Sequence, residues 1–141
     1  MSDGIFSIIG SALNAQDLRM GAISSNLANA SSVAAPGEQP YRAHELVFQA
    51  QPVVDGGDLS GNAALGVQVV ANVQSNAPLA MKYDPCNPYA DASGYVTASN
   101  VSPVEEMVNM IDSSHSYSAS VAMLQQASRI DQQMINSFQV A

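Results

Sequence analysis

Near the start of the chain Phe6, Leu13, Met20 and Leu27 recur every seven residues, and Ile9, Gln16, Ile23 and Ala30 repeat that interval three positions later. Two interleaved heptad tracks make a seam along one face of a helix, with Gln16 its one polar member. Alanine and serine fill much of the remainder, which lets a neighbouring backbone come close. The pattern predicts a helix from about Ser2 to Asn29, on the order of 40 Å long. So long a helix is not held by propensity alone, because most helical stability comes from packing of the apolar face. It needs a partner.

The other end of the chain supplies one. Ser102-Pro103-Val104-Glu105 places a capping serine before a proline at the first helical position and an acid two residues later, a strong start signal. From there Val104, Met107, Ile111, Ser114, Tyr117 and Val121 follow in steps of three and four, continued by Leu124, Ser128, Asp131, Ile135 and Phe138. One three-three step, from Ile111 through Ser114 to Tyr117, reads as a stammer. The centre of this seam is small or polar, and Asp131 is costly there if fully buried.

Between the helices the chemistry changes. "QPYRAHELVFQAQP" and "GVQVVANVQ" read as strands, the second with Val67, Val69, Ala71 and Val73 alternating on one face. "VVDGGDLSGNAALG" (residues 53–66) reads as a hairpin tip, and "YDPCNPYADASGYV" is a turn dense in Pro, Asp, Asn and Gly. The expected class is α+β: long N- and C-terminal helices paired as a coiled-coil-like hairpin, with a small β-rich insertion between them. The expected boundaries are 1–35 and 102–141 for the two helical parts and 36–101 for the β-rich part and connector.

Charged residues make up 11% of the chain, against roughly 25% in ordinary soluble domains. Low charge is a feature of surfaces that meet other protein. The net charge is −8, and the only cations are Arg19, Arg42, Lys82 and Arg129. Four scattered cations cannot displace phosphate counterions, so nucleic acid is excluded as a partner. No apolar run approaches the ~20 residues of a membrane span, so no direct membrane insertion is expected. No basic residue precedes "IFSIIG", so no cleaved signal peptide is expected.

Catalytic and metal chemistry find no footing. His44 and His115 have no cysteine or second histidine at ligand spacing. Cys86 with His115 is a conceivable thiol–imidazole pair, but Cys86 lies between Pro85 and Pro88 with no basic neighbour to favour its thiolate. Asp84 and Asp91 read as turn formers. The glycines match neither dinucleotide nor phosphate-loop spacing. The expectation is no enzyme, no metal and no cofactor. A free-standing coiled-coil adaptor is the alternative, and it leaves the strands unexplained.

The first helix ends on "SSNLANASS". Asparagine tolerates the left-handed conformation that ends helices, and serine competes for backbone hydrogen bonds. The stretch "SALNAQDLRMGAISSNLANASS" also resembles the N-terminal motif of bacterial flagellar rod and hook proteins, whose hallmark is matched by Asn26, Leu27, Ala28 and Asn29. "QPYRAHELVFQ", "YDPCNPYADASGYV" and "SNVSPVEEMVNMIDSSHSY" are most similar to the members that build the proximal rod. The chain departs from their pattern at Cys86, Asn87, Ser99, His115 and Ser120.

The resemblance implies a structural subunit of the basal-body rod, exported by the flagellar type III apparatus without cleavage and placed in the periplasm. It implies helical assembly with itself and other rod proteins, beside neighbouring ring or adaptor components, with the paired terminal helices forming an inner tube. The expected assembly seam is Phe6, Ile9, Leu13, Met20, Ile23 and Leu27 on the first helix, and Met107, Ile111, Val121, Leu124, Ile135 and Phe138 on the last.

Overall fold

The computed structural model describes residues 2–53 and 64–139; most of the expected hairpin tip, 54–63, lies outside the described residues. The elements run α1 (Ser2–Asn29), β1 (His44–Val53), β2 (Ala64–Gln74), β3 (Ala80–Tyr83), β4 (Tyr95–Ala98) and α2 (Pro103–Gln139). β1 pairs with β2 and β3 with β4, each as a two-stranded sheet. The fold is α+β, two long terminal helices with a small strand insertion. Both helix starts and ends agree with the patterning. At the head of α2 the Glu106 amide donates to the Ser102 carbonyl at 3.0 Å, and the Glu105 amide reaches Ser102 Oγ at 3.5 Å.

The chain divides into two compact units. The first comprises Met1–Arg19, Phe48–Val70 and Asp112–Ala141. Here α1 and α2 run antiparallel: Ser113 bonds Gln16, while Ile5 and Ile9 share a groove with Met123, Ile130 and Met134. Ile9, Ala15, Ser113 and Ser120 are its buried side chains among the described residues. Ser113, fully buried, donates to Gln16 Oε1 at 2.9 Å, and Ser120 donates to the Ser116 carbonyl at 2.9 Å. The one polar member of the α1 seam therefore meets a serine rather than an apolar side chain, and each satisfies the other.

The second unit comprises Met20–Val47 and Ala71–Ile111. Ile23, Asn26, Val96, Ser99 and Val101 are buried in it. The β3–β4 ladder pairs Ala80 with Ala98 and Tyr83 with Tyr95, and Val33 bridges to Ala98 on the far side of β4. The sequence pattern reads as a turn over 83–96 and does not mark the two strands that flank it. Two four-residue strands carry too few alternating positions to stand out beside so many Pro, Asp and Gly residues.

The loop between β3 and β4 is tightly tied. Asp91 Oδ1 accepts from the amides of Ser93 (2.8 Å) and Tyr95 (2.9 Å), and Asn87 Oδ1 accepts from the amide of Tyr89 (3.0 Å). The Asp84 amide donates to the Gly94 carbonyl at 2.9 Å. Gly94 has φ 82°, and a Cβ there would lie 2.9 Å from Tyr83 Cε2. Gly94→Ala combines a left-handed backbone with a ring contact, so it is expected to cost about 2 kcal/mol in chemical denaturation. A change within a few tenths of a kcal/mol would remove that assignment.

The burial pattern refines the seams. On α1 the track through Ile9 and Ile23 is buried within its own chain, whereas Phe6, Leu13 and Met20 are half-buried and Leu27 is exposed. On α2 the covered face runs Glu106, Met110, Ser113, Tyr117, Ser120, Leu124, Ala127, Asp131, in regular steps of four and three. The stammer disappears. It arose from following Met107, Ile111 and Ser114, which are exposed, when the covered face runs one position earlier through Glu106, Met110 and the buried Ser113.

Candidate assembly surfaces

The motif asparagine is the most completely bonded side chain of the second unit. Asn26 is 2% exposed, in the last turns of α1. Its Nδ2 donates to the His44 carbonyl and to Glu106 Oε2, both at 3.0 Å. Its Oδ1 accepts from Tyr41 Oη at 3.0 Å and from the His44 amide at 2.8 Å. Those four bonds fill both donors and both acceptor positions of a carboxamide, so one residue fastens α1, the start of β1 and the first turn of α2. Ser25 Oγ lies 3.2 Å from Tyr41 Oη, and the Tyr41 and His44 rings stand 5.6 Å apart.

Asn29 has the other duty. Its Nδ2 donates to the Ser25 carbonyl at 2.9 Å, and Ser32 donates to the Asn29 carbonyl through both its amide (3.1 Å) and its hydroxyl (2.7 Å). Helix-end carbonyls are thus satisfied by side chains. The expected left-handed asparagine is not used: no non-glycine residue among those described has a positive φ. Side-chain bonds cap the helix without that backbone cost.

A second asparagine ties the strands. Asn100 Oδ1 accepts from the Ala43 amide at 2.7 Å, and its Nδ2 donates to the carbonyls of Ser75 (3.3 Å) and Ala77 (3.2 Å). Arg42 reaches the same two carbonyls at 3.0 and 3.2 Å. These are positions where loop carbonyls would otherwise go unpaired.

The first unit carries an open apolar groove of about 440 Å³, floored by Ile9 and rimmed by Ile5, Met123, Ile130 and Met134. Ile5, Met123, Ile130, Met134 and the neighbouring Ile135 are each close to half exposed. Half-exposed apolar side chains at helical spacing form a patch that a soluble monomer rarely leaves uncovered. Arg19 and Asp112 approach to 3.9 Å, an exposed pair that contributes little. Among the expected seam residues, Met107, Ile111 and Ile135 are exposed, Val121 and Leu124 are half-buried, and Phe138 lies in the last turn with its side chain outside the described residues.

Cys86 is exposed in the β3–β4 loop of the second unit, and His115 is exposed on α2 in the first. Among the described residues no three His, Cys, Asp or Glu side chains gather as a metal site, and no helix is long and apolar enough to cross a membrane.

Residues 8–34 match the family model described as flagella basal body rod protein, and residues 92–137 match that described as flagellar basal body rod FlgEFG protein C-terminal. Asn26 lies in the first match and Glu106 in the second. The flagellar basal-body rod protein FlgC of Salmonella typhimurium is 49% identical over 120 residues, 85% of each chain. FlgC of Escherichia coli O6:H1 is 48% identical over 120 residues with the same coverage. FlgC of Borreliella burgdorferi is 37% identical over 135 residues, 86% of this chain and 89% of that one.

Proposed function

Because this chain belongs to the FlgC family of flagellar basal-body rod proteins, we propose that it is a structural rod subunit whose two terminal helices are completed by neighbouring subunits. One observation carries this reading. Among the described residues five hydrophobic side chains are buried and twenty-one large ones are exposed, and those on the helices recur at helical spacing. Burial of such stripes between subunits supplies the stability that the single chain lacks. The neighbours are further copies and other rod proteins in a helical array, with ring or adaptor components beside them. Residues 1–35 and 102–141 form the tube, and 36–101 are the β-rich part and connector. Export through the flagellar type III apparatus, uncleaved, delivers the subunit to the periplasm.

The Asn26 node fits this role. It locks the angle between the helix ends and the strands with four directional bonds, so each subunit presents one geometry to the next. The reading has no catalytic step. In a strain lacking its own copy of the gene, the Cys86→Ala and His115→Ala variants are expected to restore swimming to the wild-type rate. Loss of swimming with either, when the variant is exported and folded, would move the chain toward a thiol–imidazole chemistry. Variants of the groove are the direct test of the assembly itself.

A further inference from the structure

Met123 and Met134 stand eleven residues apart on α2, about three turns, so their thioethers lie on one stripe of the helix. They are 55% and 49% exposed, and with Ile5, Ile9 and Ile130 they line the apolar groove of the first unit. A thioether is flexible and polarizable, so it fills an irregular apolar gap. It also brings a reactivity that isoleucine lacks. An exposed sulfur attacks hydrogen peroxide: an S–O bond forms, the O–O bond breaks, and the remaining oxygen leaves as water. Sulfur is oxidised by two electrons, and the flexible apolar side chain becomes a polar sulfoxide.

The groove is a poor place for that product. Among the described lining residues Gln126 is the only side chain that carries an N–H donor. At least one of two sulfoxides finds no side-chain donor in the groove, and an unpaired polar group opposes being covered. In the free chain both side chains face water, so the fold itself is spared. The other described methionines lie elsewhere. Met20 and Met110 are half-buried in the second unit, and Met107 is exposed there. The Met81 sulfur already accepts from the Thr97 hydroxyl at 3.9 Å.

We infer that Met123 and Met134 form an oxidation-sensitive pair that controls assembly. Peroxide acting on the free subunit converts both to sulfoxides and blocks docking in the groove. A methionine sulfoxide reductase restores it, two thiols giving a disulfide as the sulfoxide oxygen leaves as water. Subunits already assembled are spared, because their thioethers are covered. The inference rests on the reading of the groove as a subunit interface and adds a chemical control of that interface.

The test uses the purified full chain with Cys86→Ala, which removes the exposed thiol as a competing site. This parent chain is treated with hydrogen peroxide, and peptide mass spectrometry locates the sulfoxides. Self-association is then read by sedimentation across a concentration series. Oxidation at Met123 and Met134 is expected to weaken association about tenfold or more, with circular dichroism and melting unchanged. Reductase treatment should return it to the starting value. Adding Met123→Leu and Met134→Leu keeps the volume without an oxidisable sulfur. Peroxide should then change association by less than about twofold, relative to the same leucine chain untreated. Undiminished association of the oxidised parent chain, or an equal loss in the leucine chain, overturns the inference. Met134→Asp separates the two claims. If it abolishes association while the double sulfoxide does not, the interface reading stands and the oxidative control is removed. If it associates as the parent does, the groove reading fails and the inference falls with it.

Discussion

Asn26→Asp is expected to remove about 3–5 kcal/mol of folding stability, a substantial part of the margin of about 5–15 kcal/mol that a domain possesses. The substitution keeps the size of the side chain but replaces two donors with a carboxylate oxygen. That oxygen then faces the His44 carbonyl and Glu106 Oε2, which Asn26 Nδ2 contacts at 3.0 Å in the native chain. At 2% exposure water cannot take over the lost bonds. Asn26→Ala should cost somewhat less, since it leaves the same groups unpaired without adding a charge. Asn29→Ala, which removes one bond to an exposed carbonyl, should cost about 1 kcal/mol or less. Urea denaturation followed by circular dichroism measures all three. Adding Glu106→Gln to the aspartate variant turns an acceptor into a donor and should recover part of the loss. A cost below 1 kcal/mol for Asn26→Asp would show that the node is dispensable.

The second large effect concerns assembly. Ile130→Asp and Met134→Asp place a carboxylate on the rim of the groove, where the native side chains are each 49% exposed in the free chain. The monomer should therefore melt within about 0.5 kcal/mol of wild type. In the assembled rod the same carboxylate would be buried without a partner, at a cost of several kcal/mol per contact. Incorporation should fall at least a hundredfold, each ~1.4 kcal/mol being a factor of ten, and swimming should be lost. Ile9→Asp and Ile23→Asp behave differently, because those side chains are 8% and 5% exposed within the chain itself. They are expected to unfold the monomer before assembly is reached. Normal swimming with Met134→Asp would take the groove out of the interface.

The two long helices were legible because heptad spacing and a Ser-Pro-x-Glu start are local signals that length makes unambiguous. The four-three track through Ser113 and Ser120 was not, because a seam begun at Met107 and Ile111 runs one position later than the covered Glu106 and Met110 and so reaches Ser114 and Val121 instead. Close backbone packing rewards small side chains that can bond inward, and sequence periodicity in apolar residues does not register it. Of the residues that alternate on one face of β2, Val69 and Ala71 are half-buried, whereas Val67 and Val73 are 39% and 47% exposed. The motif residues Asn26 and Asn29 stood out by resemblance, but their division of labour did not. That Asn26 reaches Tyr41, His44 and Glu106 depends on contacts up to eighty positions away in the chain, which no local pattern encodes.

The claim that the terminal helices are completed by neighbours can be tested by methionine oxidation of the free chain and of purified basal bodies, read by peptide mass spectrometry. Met123 and Met134, which line the groove and are 55% and 49% exposed in the free chain, should oxidise readily in the monomer. In assembled rods both should be protected at least tenfold, since burial between helices shields the thioether from solvent oxidant. Equal oxidation of the two residues in monomer and rod would contradict the account.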